Sequence, residues 1–193
     1  MDDVNADQLT RRLIDEGARL LAEDGPGGLS LRRLATAAGT STMAVYTRFG
    51  DKQGLLDAMH REGFRRLGDR VATAMQRDDP LMETGRAYRL AALESPHLYG
   101  LMFGPLPSGF APSTENDKAA GATYSPLVDG VRRAVELGIL VGEPERIALH
   151  LWVVAHGMVS LELAGQLPVP PEQAAQCYEE ALLLAAHPYI PTG

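Results

Sequence analysis

Residues Leu31–Phe49 read LRRLATAAGTSTMAVYTRF, and this stretch decides the fold. Leu31, Leu34, Ala35 and Ala38 recur at helical spacing, so a short helix runs from Leu31 to about Ala38. Ser30 is a good N-cap for it. Gly39 stops it, because glycine takes positive φ most readily. Thr40 or Ser41 can cap a second short helix that ends near Phe49. The turn Ala38-Gly39-Thr40-Ser41 lets the two helices cross steeply, and small Ala35 suits a close approach. Such a helix-turn-helix can place its second helix in a DNA major groove. A plain helical hairpin buried in a core is the other reading of the same pattern.

Outward from this core the pattern stays helical. A first helix is expected from about Ala6 to Asp24, with Leu9, Leu13, Ile14, Leu20 and Leu21 on its apolar face. Gly25-Pro26-Gly27-Gly28 ends it. Gly50-Asp51 restarts a long helix reaching about residue 77. Pro80 and Pro96 begin further helices, and residues 104–121, with three prolines and a polar run, read as a loop. Helices over roughly 123–140, 144–167 and from about 170–172 to before Pro188 complete the chain. Strand-like alternation is absent. The expected fold is all-α: a three-helix N-terminal domain over residues 1–52, then a larger helical bundle over 53–193.

The 193 residues carry a formal charge of −7, which argues against a uniformly basic protein and no more. Residues 1–77 hold twelve basic and eleven acidic side chains, a net of +1, and residues 78–193 a net of −8. Within residues 25–77 the net is +5, so a locally basic window overlaps the helix-turn-helix. The polar, acidic start is unlike a secretory signal, and no apolar run is long enough for a membrane span. The lone Cys177 excludes an intrachain disulfide and a thiolate metal cluster. Together these lead us to expect a cytoplasmic protein with no cofactor, no metal and no membrane partner.

Residues 34–41 (LATAAGTS) followed by 45–55 (VYTRFGDKQGL) resemble the N-terminal DNA-binding domain of the tetracycline-repressor-like (TetR/AcrR) regulators. The turn, the recognition helix, Tyr46, Phe49 and Lys52 stand in register over about 50 residues. Thr40 stands where Val is common, Val45 where Leu is usual, and Arg48 where His or Tyr is frequent. Further on, Trp152, His156 and Gly157 followed by Ser160-Leu161-Glu162-Leu163 resemble a subclass with a Trp-His-Gly signature in its C-terminal domain.

The resemblance implies roles for individual residues. Ser41 to Phe49 would read the major groove, with Thr42, Met43 and Ala44 on the base-facing edge. These three offer one hydroxyl and apolar contacts, so much of the affinity should come from phosphates. Arg32, Arg33, Thr40, Ser41, Tyr46, Thr47, Arg48 and Lys52 complete the expected DNA surface. Phe49 reads as core. Arg61 and Arg65 share a face of the long helix, where they either extend the basic field or pair with acids.

In the C-terminal half, Tyr88, Leu93, His97, Tyr99, Met102, Phe103, Leu127, Val131, Trp152 and His156 can line an apolar ligand cavity or fill an ordinary core. Leu151, Val154, Met158 and Leu161, with Tyr178, Ala181, Leu182 and Ala185, are expected at a four-helix dimer contact. The function implied is a dimeric regulator, by default a repressor, that binds a palindromic operator and is released by a small hydrophobic effector. An enzyme is disfavoured, because no nucleophile elbow, phosphate loop or paired-acid motif accompanies the histidines or Cys177. A helical protein–protein adaptor is the alternative; it would show no salt-dependent DNA affinity.

Overall fold

Nine α-helices and two short 3-10 turns make up the regular structure of residues 2–192, the part of the chain that the computed structural model describes. There is no sheet among these residues. The helices are α1 (Asp2–Gly28), α2 (Leu31–Ala37), α3 (Thr42–Phe49), α4 (Lys52–Ala74), α5 (Pro80–Glu94), α6 (Pro96–Phe103), α7 (Thr114–Glu136), α8 (Pro144–Leu163) and α9 (Ala174–Ala186). Inside α1, Gly25 takes φ +67° and ψ −173°, so the regular helix breaks where the Gly-Pro-Gly-Gly run predicts a stop.

The chain forms two compact units, and their boundaries fall inside α4, between α5 and α6, and inside α7. The first takes the chain through Arg65 together with Ser95–Ala120. Its core joins Leu13, Ile14 and Ala18 of α1, Leu34 and Ala35 of α2, Val45 of α3, and Leu55, Leu56 and Met59 of α4. Leu98 and Leu101 of α6 and Phe110 close it. The second unit takes Arg66–Glu94 and the chain from Gly121 onward. There α5, α8 and α9 pack on one another, and Val131, Ala134, Leu140, Ile147, Ala148, Leu151 and Ala185 form a core cluster.

The expected loop over residues 104–121 is corrected in its second half. Residues 104–113 carry no helix, but α7 begins at Thr114, nine residues before the sequence pattern suggests. The anchor is a buried polar contact. The Asp57 carboxylate of α4 accepts the Ser113 N–H at 3.0 Å, the Ser113 hydroxyl at 3.1 Å and the Asn116 Nδ2 at 2.8 Å. Asn116 is fully buried. A remote carboxylate therefore fixes the first turn of a helix whose opening residues, Thr114 to Lys118, carry no apolar side chain.

Candidate nucleic-acid interface and bundle cavity

Local hydrogen bonds set the helix-turn-helix residue by residue. The Ser30 Oγ accepts the Arg33 N–H at 3.2 Å and caps α2. The Ala38 N–H donates to Leu34 O at 2.9 Å, Gly39 turns the chain at φ +63°, and the Thr40 N–H donates to Ala35 O at 2.9 Å. The Ser41 Oγ then accepts the Ala44 N–H at 3.1 Å and caps α3. Val45 is fully buried and Phe49 packs partly buried on the core, so the opposite side of α3 faces water. That side carries Met43, 73% exposed, and Tyr46, 52% exposed. Ser41 and Thr47 are exposed beside them; Thr40, Thr42, Ala44, Arg48 and Lys52 are half-buried.

Several expected donors already serve the fold. The Thr47 hydroxyl donates to Met43 O at 2.9 Å, which leaves its oxygen lone pairs outward. Arg48 spends Nη1 on Ala44 O at 3.2 Å and keeps further N–H groups of its guanidinium. Arg33 is held at the end of α1, its Nη2 2.5 Å from Asp24 Oδ2 and its Nη1 donating to Gly28 O at 3.2 Å. Arg32 is exposed. At the start of α4 the Asp51 carboxylate accepts the Gly54 N–H at 2.8 Å. One of the helix N-terminal donors that could join Lys52 on a phosphate is thereby taken. Arg61 pairs with Asp57 at 3.2 Å and Arg65 with Glu62 at 2.6 Å.

In the second unit a cavity of about 300 Å³ opens among α5, α8 and α9. Of the ten residues expected to contact a ligand, Tyr88, Leu127 and Trp152 line it. His156 stands behind Tyr88, its Nδ1 3.3 Å from the Tyr88 hydroxyl and its Nε2 3.4 Å from the Ser160 hydroxyl. Burial pushes the His156 imidazole below its ordinary range, so it is neutral at pH 7. Val131 is instead core, and Leu93 and His97 lie off the lining. Tyr99, Met102 and Phe103 belong to the first unit, where Phe103 stacks edgewise on Phe64 with centroids 5.4 Å apart. Sequence reasoning missed Leu81, Met82, Ile139, Leu182, Leu183 and Ile190 of the lining. Asp79 is the one ionisable carboxylate on its wall, and no lysine or arginine lines it.

The expected dimer stripes divide in the same way. Leu151, Tyr178, Leu182 and Ala185 are buried within their own chain, which makes them core. Val154, Met158 and Ala181 are half-buried, and Leu161 is exposed. Besides Leu161, the water-facing large apolar side chains of these helices are Leu149 and Val153 on α8 and Leu183 and Leu184 on α9. A bidentate ion pair ties α5 to α8, with Arg89 Nε donating to Glu162 at 2.8 Å and Nη2 at 2.5 Å. Among the described residues no group of three or more His, Cys, Asp or Glu side chains could hold a metal, and no helix is long and apolar enough to cross a membrane.

Comparison with known proteins agrees with both halves. Residues 13–59 match the model of bacterial regulatory proteins of the tetR family. Residues 81–184 match that of the tetracyclin repressor-like C-terminal domain. The HTH-type transcriptional regulator Mb1846 of Mycobacterium bovis is 30% identical over 146 residues, covering 71% of this chain and 60% of that protein. The HTH-type transcriptional repressor AcnR of Corynebacterium glutamicum is 37% identical over 94 residues, 48% of this chain and 45% of that one. The chain thus spans less than two thirds of the length of these relatives. A solved Rhodococcus structure of unknown function superposes with a TM-score of 0.73 at 31% identity, covering 92% of this chain and 95% of that one. Members of the family are typically non-catalytic, generally bind DNA as dimers and respond to ligands. This chain belongs to the tetracycline-repressor-like family of bacterial transcriptional regulators.

Proposed function

We propose that this protein is a repressor that binds a palindromic operator as a homodimer and leaves it when an uncharged, apolar molecule enters the bundle. The observation that carries the DNA reading is α3: a helix capped by Ser41 and held by buried Val45, yet offering Met43 and Tyr46 to solvent. Exposed large apolar side chains on a rigid, capped helix fit base methyl groups and sugar edges better than water. Ser41, Tyr46, Arg48 and Lys52 supply phosphate contacts around them, and Arg32 approaches from α2. Arg33 acts by bracing the α1–α2 turn through Asp24 rather than by touching DNA.

One eight-residue recognition helix gives limited affinity. Two of them fixed about 35 Å apart read successive major grooves. The exposed rows on α8 and α9 supply the contact between protomers. The effector class follows from the cavity wall, which is apolar and carries an acid but no cation, so it rejects anions and suits a neutral molecule. Of the Trp-His-Gly resemblance, Trp152 lines this wall and His156 backs it through the Tyr88 hydroxyl. Since α4 starts in the first unit and ends in the second, a ligand that favours one position of α4 changes the spacing of the two α3 helices.

A gel shift with the DNA upstream of the protein's own gene tests this, with and without a panel of neutral apolar metabolites. The expected result is a complex that one class of them dissociates. Identical DNA affinity with every effector bound would leave a constitutive binder and remove the switch.

A further inference from the structure

We infer that the cavity among α5, α8 and α9 selects an apolar molecule that donates a hydrogen bond to it, an alcohol or an N–H compound, over the isosteric ether or ketone that can only accept. The inference rests on the effector reading above and names the hydrogen-bonding class of that molecule.

Thr84 and Tyr88 stand one turn apart on α5, and both line the cavity although little of either side chain reaches water. A hydroxyl donates once and accepts twice, so what it offers a guest depends on where its own proton goes. The Thr84 hydroxyl lies 2.8 Å from the Met75 Sδ. A thioether sulfur has no proton to give, so Thr84 is the donor of that pair. Its oxygen lone pairs are what remain for a guest.

The Tyr88 proton is spent in the same way. Its hydroxyl lies 3.3 Å from His156 Nδ1, and His156 Nε2 lies 3.4 Å from the Ser160 hydroxyl. Burial keeps the imidazole neutral, so one ring nitrogen carries a proton and the other accepts one. A phenol is a stronger acid than a neutral imidazole N–H, and an imidazole nitrogen is a stronger base than a phenol oxygen. Tyr88 therefore donates to Nδ1, while the Nε2–H donates to Ser160 and fixes that tautomer. At the edge of the wall the exposed Asp79 carboxylate also accepts, one oxygen taking the Met82 N–H at 3.4 Å. Trp152 carries the one side-chain N–H of the lining, and its ring packs against Tyr124 and His156 with centroids 5.8 and 5.7 Å away. Accepting oxygens thus outnumber donors three to one on this wall. A guest hydroxyl or N–H satisfies the oxygen it covers. An ether or ketone sets lone pair against lone pair and leaves a buried oxygen without a partner.

Indole and benzofuran share one bicyclic shape and differ by an N–H against an ether oxygen, so together they read the hydrogen bond at constant size. Calorimetric titration of the full chain should find indole bound roughly tenfold more tightly than benzofuran. Ala186→Phe fills the cavity from a half-buried lining position and should abolish the binding of both. Tyr88→Phe should bring the ratio of the two affinities down toward one. His156→Leu returns the Tyr88 proton to the cavity and should move the ratio toward benzofuran, a change of preference that loss of packing alone does not produce. A wild-type chain that binds neither probe, or a filled variant that binds both normally, removes the cavity reading and the donor preference with it. Equal wild-type affinities for the two probes, both lost on filling the cavity, overturn the donor preference alone, and this comparison needs no variant of the two hydroxyls to fold. A ratio that neither Tyr88→Phe nor Thr84→Val changes overturns it as well.

Discussion

Tyr46 and Lys52 carry most of the DNA argument at the level of single side chains. In the proposed complex each donates to a phosphate, and each occurs twice in a dimer. Tyr46→Ala or Lys52→Ala should weaken binding by roughly tenfold to a hundredfold for each half-site, since hydrogen bonds to charged groups are worth about 1.5–3 kcal/mol. Lys52→Ala should also flatten the dependence of log K on log salt, by about one for each phosphate left without its ammonium. Anisotropy titrations at several salt concentrations read both quantities; an unchanged slope would remove Lys52 from the phosphate-binding groups.

The histidines give a pH signature at the same scale. Burial lowers the pKa of His60, against the opposing pull of Asp57 and Asp117, and burial lowers that of His156. The unfolded chain therefore takes up these protons at higher pH than the folded one. Stability rises with pH across the window below about 6.5 and levels off above it. Thermal melts should show Tm falling between pH 7.5 and pH 5.5, and His156→Gln should remove part of that fall. Equal melting temperatures at the two pH values would contradict the assignment. Glu16 and Glu179, whose arginine partners hold their carboxyls low, act only in the more acidic carboxylate range.

Between residues and domains, two elements respond to different kinds of substitution. In the helix-turn-helix each boundary rests on one residue: Ser30, Gly39, Ser41 and Gly50. Gly39→Ala should cost about 1–2 kcal/mol, because φ +63° brings a Cβ against the following carbonyl. Ser41→Ala should cost about 1 kcal/mol by loss of the α3 cap. At α7, Asp57→Ala should cost about 2 kcal/mol by removing the carboxylate acceptor of the buried Asn116 amide, which keeps only the longer bond to the Asp57 carbonyl at 3.3 Å. Denaturant melts give the sizes. Amide exchange should be faster over residues 114–118 in the Asp57 variant; unchanged exchange there would show that α7 starts without this anchor.

These two elements also mark what a reader of the sequence can and cannot see. The reader helices are legible because caps, turn glycine and apolar spacing all lie within twenty residues. The start of α7 is not, because its determinant is a carboxylate 59 residues away in sequence from Asn116. The outer faces of α8 and α9 are hidden for another reason. Both helices are rich in Leu, Val and Ala on more than one side, so periodicity marks apolar stripes without saying which one faces the protomer's own core. Leu182 and Leu183 are neighbours in α9, yet one is core and the other lies at the surface. The cavity wall is similarly scattered over α5, α7, α8, α9 and the segments after α7 and α9, and the sequence pattern points to only three of its residues.

For the whole molecule, the net −7 is an average of two opposite halves. The +5 over residues 25–77 surrounds α2, α3 and the start of α4, while the bundle residues are strongly acidic. An acidic bundle repels DNA and confines contact to the readers, which favours short, spaced half-sites over wrapping. The central claim is that two copies of α3 read such half-sites. Footprinting of the upstream region by the full chain, with wild type beside a Tyr46→Ala, Lys52→Ala double variant, tests it most directly. The account predicts two protected half-sites centred about one helical turn apart, weakened by salt and abolished in the double variant. Absence of any protected palindrome, or protection that the double variant retains in full, would contradict it.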